Sequence, residues 1–186
     1  MGNFYVNFSI KGAEPRRVAD VLARAGRVAI VTPVQVGYVV AYDEEADTQA
    51  VPEIVEVGGV LSRDLGLPVF AVLNHDDDIL AYWLFERGEL TDAYNAGLSP
   101  GALTTPCQDG DAATLCAALR PDADVSAVEA ILRGPVLLAV DRHLQLAKAL
   151  RLPSWSVGLG YDYAAAGEID VDLKEGEALI RVGGPM

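Results

Sequence analysis

The polar run His75-Asp76-Asp77-Asp78 follows the apolar run 69–73 after one intervening residue, Asn74. The end of a buried strand is a common place for side chains that do chemistry. In an extended segment alternate residues share a face, which puts Asp76 and Asp78 on one side and His75 and Asp77 on the other. Two carboxylates on one face begin a Mg²⁺ or Ca²⁺ site, with His75 as a third candidate ligand. Such ions take about six oxygen ligands, so the remainder must come from elsewhere in the chain. The run is not an EF-hand loop, because it lacks the glycine at the sixth position and the glutamate at the twelfth. The competing reading is a polar connection in which the Asp side chains bond to their own backbone.

Other chemistries leave fainter traces. The second histidine, His143, lies in Asp141-Arg142-His143, inside an expected helix. With 2 histidines in the chain, neither His-x-x-x-His nor His-Glu-x-x-His occurs, and zinc hydrolase chemistry is not indicated. A serine nucleophile has no Gly-x-Ser-x-Gly elbow, and pairing Cys116 with a histidine requires the fold to bring them together. The segment Gly158-Leu159-Gly160-Tyr161-Asp162-Tyr163 begins like a dinucleotide-binding loop. It carries Tyr163 where the last glycine belongs and opens no βαβ unit, so it reads as a sharp bend. No motif calls for a cofactor, a divalent cation at the acidic run excepted. Tyr82 and Trp83 point to opposite faces of an expected strand, so one of them should be less buried and suit a protein contact.

The elements that must position these residues follow from periodicity. Residues 4–10 alternate Phe4, Val6, Phe8 and Ile10 against Tyr5, Asn7 and Ser9, which predicts a strand with one buried face. Glu14-Pro15 opens a helix with Val18, Val21 and Leu22 as its apolar stripe, closed by Gly26. Residues 27–31 and 37–42 form a hairpin around a Thr-Pro/Gly turn. An acidic loop at 43–48 leads into a helix over 52–65, whose Gly58-Gly59 implies a close helix-to-sheet contact. A fourth strand starts at Val69. This β-α-β-β-α-β order is the ferredoxin-like arrangement, and a hairpin over 79–85 and 90–94 extends the same sheet. Residues 95–111 are rich in Gly, Ser, Thr and Pro and read as a long loop.

Beyond that loop the pattern is mainly helical. Asp109 or Asp111 caps one helix and Asp124 or Ser126 a second. A third covers 135–150, residues 155–159 resemble a strand, and the tail at 171–182 alternates weakly as an edge strand. The stretch 65–72 has a partial echo in 150–157, each a helix end, a Leu-Pro break and an aromatic two positions on. The expected fold is thus α+β: a sheet domain over 1–97, with a mainly helical part over 98–186 packed on it as one globular unit.

Composition limits the function classes. The chain has 186 residues, 51% of them hydrophobic, enough for a sizeable core. No apolar run approaches the roughly 18 residues of a membrane span. The 27 acidic and 14 basic side chains give a net charge of −13, which disfavours nucleic acid and anionic membranes as partners. A basic protein surface or a cation is compatible with it. The first residues have neither a basic start nor an apolar signal core, and Cys107 and Cys116 fit two free thiols in a reducing compartment, although the pair would allow one disulfide. A cytoplasmic protein is expected.

The chain resembles a group of uncharacterised bacterial proteins. The resemblance is carried by Leu73-Asn74-His75-Asp76-Asp77-Asp78-Ile79-Leu80, residues 82–85, Gly88-Glu89-Leu90 with Asp92 and Tyr94, Gly110-Asp111-Ala112 with Leu115-Cys116, and His143 through Leu152-Pro153 to Gly160-Tyr161. It covers most of the chain and brings no activity, cofactor or catalytic residue. The preferred expectation is therefore a non-enzymatic cytosolic module that binds another protein or a second copy of itself. One rival is a metal-dependent hydrolase of a phosphate-containing small molecule using Asp76 and Asp78. The other is a small-molecule sensor with an apolar pocket between sheet and helices.

Overall fold

The computed structural model of the chain describes residues 2–96, 109–169 and 173–184. Alternating apolar residues place β1 (Phe4–Lys11) at the centre of a sheet, between β3 (Tyr38–Asp43) and β4 (Val69–His75), both antiparallel to it. Pro15 starts α1 (Pro15–Arg24), where its missing N–H is not needed, and Val18, Val21 and Leu22 are buried. This helix links β1 to β2 (Ala29–Val31), which pairs with β3. Where an acidic loop was expected, Asp43 accepts the Ala46 N–H and caps a one-turn helix, α2 (Glu44–Asp47). The longer α3 (Val51–Leu65) then leads to β4. Gly58 faces the Phe85 ring so closely that a Cβ would collide with it, and this contact accounts for glycine in mid-helix.

The hairpin β5 (Ile79–Glu86) and β6 (Glu89–Ala96) extends the sheet from β4. Near the other end of the chain, β7 (Ile180–Val182) returns to pair with β2. The result is one antiparallel sheet of seven strands in the order β6-β5-β4-β1-β3-β2-β7.

Both faces of this sheet are covered. Val6, Phe8 and Ile10 pack under α1 and α3. The opposite face, expected from the alternation to meet solvent, is buried as well: Tyr5, Asn7 and Ser9 are all fully covered. Its cover comes from late in the chain. α4 (Ala112–Leu119), α5 (Val125–Arg133) and α6 (Ala139–Leu150) enclose Phe70, Val72, Leu80, Tyr82 and Tyr94. Trp155 and Ala164, the latter in α7 (Tyr161–Ala165), cover Ile30, Val40 and Tyr42. Double coverage also buries both Tyr82 and Trp83, so neither is the exposed aromatic that strand alternation implied.

Asp111 and Asp124 cap α4 and α5 through backbone N–H groups. Two expectations for the C-terminal part need correction. The third helix begins at Ala139, not residue 135, and the Ala139 N–H donates to the Asp77 carbonyl at 2.6 Å. The expected strand over 155–159 is instead a 3₁₀ turn, Ser154–Ser156. The Pro153 carbonyl accepts the Ser156 hydroxyl, and the Asn7 amide reaches the Ser156 and Leu159 carbonyls. These side chains satisfy backbone groups that a strand would pair with a neighbour. The echo between the two Leu-Pro segments thus stops at the break. Among the described residues, no helix is long and apolar enough to cross a membrane.

Candidate functional site

The acidic run is the turn between β4 and β5, and it is not extended. Asp76 and Asp77 have φ of 53° and 57°, a left-handed conformation that Asp tolerates better than most residues. The Asp78 N–H closes back on the His75 carbonyl. The shared face expected for Asp76 and Asp78 therefore does not form. Asp76 Oδ1 accepts the Gly2 N–H at 3.0 Å. The Asp77 carboxylate accepts the Asn3 backbone N–H and the amides of Asn3 and Asn74. His75 Nδ1 lies 2.6 Å from Gln49 Oε1, and its ring meets Phe4 edge-on. Asp78 borders a surface cleft of about 200 Å³, across from Leu137 and Leu138. Among the described residues, no group of three or more His, Cys, Asp or Glu side chains is placed to hold a metal ion.

A hydrogen-bonded chain runs inward from this turn. Asn74 Nδ2 donates to Asp77 and, at 3.4 Å, to the Tyr5 hydroxyl. Tyr5 is then free to donate its own proton to His143 Nδ1, 2.8 Å away. This direction assigns the remaining imidazole proton to Nε2, which has no hydrogen-bond partner among the described residues. His143 is fully buried, and burial lowers its pKa to about 3, so the ring is neutral. Burial likewise raises the Tyr5 phenol. The chain Asp77–Asn74–Tyr5–His143 joins two residues that the sequence singled out separately, and it registers α6 on the sheet.

Two carboxylates are raised by burial. Burial raises Asp47, against the lowering effect of the Val6 and Asp162 N–H groups. Burial also raises Asp92, although the Tyr82 hydroxyl donates to it at 2.7 Å. Asp47 thereby ties the first helical turn of α7 to β1, and Asp92 ties the Asp111 backbone to β6. The one described cysteine, Cys116, is a buried free thiol whose pKa burial raises; Cys107 lies outside the described residues.

A different feature emerges where the β2–β3 hairpin meets the end of α6. Gln35 and Tyr38 exchange both backbone hydrogen bonds, which makes Val36-Gly37 the two tip residues. Their φ angles are 47° and 84°, both positive as in a type I′ hairpin turn. The first position of that turn favours Asn, Asp or Gly, and a β-branched residue there is strained by about 1–2 kcal/mol. Val36 is nevertheless used, and it is 66% exposed.

Val36 forms one wall of an open groove of about 400 Å³, with Leu144, Ala147, Leu152 and Val157. The Ser154 hydroxyl donates to Gln35 Oε1 and ties the hairpin to the turn after α6. Lys148 and Arg151 also line the groove. Both are exposed, and no acidic side chain is among the lining residues. Neither cation forms an ion pair among the described residues; both lie at the carbonyl end of α6, whose partial negative charge favours them.

Residue types alone do not reveal this groove. Its one sequence signal is Val36-Gly37 where a hairpin turn calls for Asn-Gly. The chain matches no protein-family model, no curated protein and no solved structure.

Proposed function

We propose that the protein is a non-enzymatic, cytoplasmic binding module whose working surface is the groove between the β2–β3 hairpin tip and the end of α6. The observation that carries this reading is Val36, an apolar, strained and exposed residue at a position where Asn or Gly would remove the strain. A site that breaks a local rule without a gain in stability is a candidate for function. Exposed Val34 on the hairpin and Leu144 on α6 add apolar surface, as a protein contact requires. The scaffold reads as a ferredoxin-like β1-α-β2-β3-α-β4 core with the β5–β6 hairpin added at one edge and β7 at the other. The test is selection from an unbiased random-peptide display library on the immobilised full chain. Recovered peptides should compete for one face and lose binding to Leu144→Asp. Absence of enrichment, or binders indifferent to Leu144→Asp, would remove the reading.

A further inference from the structure

Resting on that reading, we infer that the groove receives an acidic amphipathic segment of a different protein, its apolar residues seated between Val36 and Leu144 and its carboxylates on Lys148 and Arg151. The argument is charge complementarity. The chain carries 27 acidic and 14 basic side chains, yet the residues lining this groove include two cations and no acid. Lys148 and Arg151 lie three positions apart at the end of α6, so both belong to one end of the groove, while Leu144 continues the same helix side one turn back. An apolar floor with a cationic end matches a segment that places Leu- or Phe-like residues on one side and Asp or Glu beside them. A second copy packed groove to groove would set Lys148 and Arg151 against the same two cations, since a two-fold contact pairs each patch with itself. A small apolar acid would fill the groove but leave Val34 on the hairpin exposed.

The experiment uses two display libraries of amphipathic peptides, identical except that polar positions are Asp/Glu in one and Lys/Arg in the other. Both are selected on the full chain and on Lys148→Glu/Arg151→Glu, with Lys148→Gln/Arg151→Gln as a milder variant; thermal melts establish that all are folded. Enrichment is expected from the acidic library alone. Recovered peptides, measured by fluorescence anisotropy, should bind the charge-reversed variant about tenfold more weakly, the scale set by losing two exposed ion pairs. Added salt should weaken wild-type binding in parallel. Enrichment from the basic library, or acidic peptides unaffected by charge reversal, overturns the inference. If neither biased library enriches while the unbiased library yields binders sensitive to Leu144→Asp, the inference fails and the binding reading stands. If no library enriches, both fail. A concentration-dependent dimer in sedimentation equilibrium, abolished by Leu144→Asp, makes the occupant a second copy and also overturns it.

Discussion

His143 makes the stability of this protein depend on acid in a way that can be isolated. The ring is neutral in the folded state with a pKa of about 3, whereas an unfolded histidine titrates near 6.5. As pH falls through 6.5, the unfolded chain takes up a proton that the folded chain refuses, so stability is lost on acidification down to about pH 3. Each unit below 6.5 costs about 1.4 kcal/mol. Between pH 7.5 and pH 5 the loss is about 2 kcal/mol; it is set by the unfolded pKa, because the folded value lies far below the window. The comparison is between wild type and His143→Gln, whose amide oxygen can still accept the Tyr5 hydroxyl. Both are unfolded in urea at each pH. Every other titrating group is common to the two chains and cancels. The stability advantage of wild type should shrink by about 2 kcal/mol at pH 5. An advantage that stays constant would refute the neutral, buried assignment and with it the proton direction from Tyr5 to His143.

Three other perturbations test the scaffold. Arg27→Ala should cost about 3–5 kcal/mol in chemical denaturation, because Arg27 meets the buried Asp43 carboxylate at 2.6 Å and 2.9 Å and its loss leaves that charge unpaired; a loss under about 1 kcal/mol would show that the pair is immaterial. Gly58→Ala should lower stability by about 1–3 kcal/mol despite alanine's better helix propensity, since the Phe85 ring must give way; a rise in Tm would contradict the packing. Millimolar Mg²⁺, Mn²⁺, Ca²⁺ or Zn²⁺ should leave the Tm unchanged, because Asp76 and Asp77 already accept amide protons. A metal-specific rise lost in Asp76→Ala/Asp78→Ala, worth about 2.7 kcal/mol at 100 times the dissociation constant, would establish a metal site there.

What the sequence made legible, and what it hid, follows from the range of the interactions involved. Local signals held: Pro15 opened α1, Asp111 and Asp124 capped their helices, and Gly58 marked a close contact. These depend on a few neighbouring residues, or on a steric demand that one residue type betrays. The burial of Tyr5, Asn7 and Ser9 was hidden, because a strand's polar face looks the same whether water or a later helix covers it. The 3₁₀ turn at Ser154–Ser156 was hidden for a related reason, since the Asn7 amide that takes its carbonyl comes from roughly 150 residues earlier in the chain. Of the candidate site, His75, Asp76 and Asp78 were visible as residue types. Their spacing suggested a common face only while the segment was taken as extended, and the left-handed Asp76 and Asp77 turn them apart. The groove required tertiary assembly: hairpin and helix end are separated by more than a hundred residues, and Val36 announces itself only once the Gln35–Tyr38 pairing shows that it occupies a type I′ tip.

The most direct test of the binding face is a ¹H–¹⁵N correlation titration of the labelled protein with a peptide recovered from the acidic library. Shift changes should cluster at Val36, Gly37 and residues 144–157, leaving the turn at 75–78 undisturbed. Changes centred on that turn, or scattered over the sheet edges, would contradict the assignment of function to the groove.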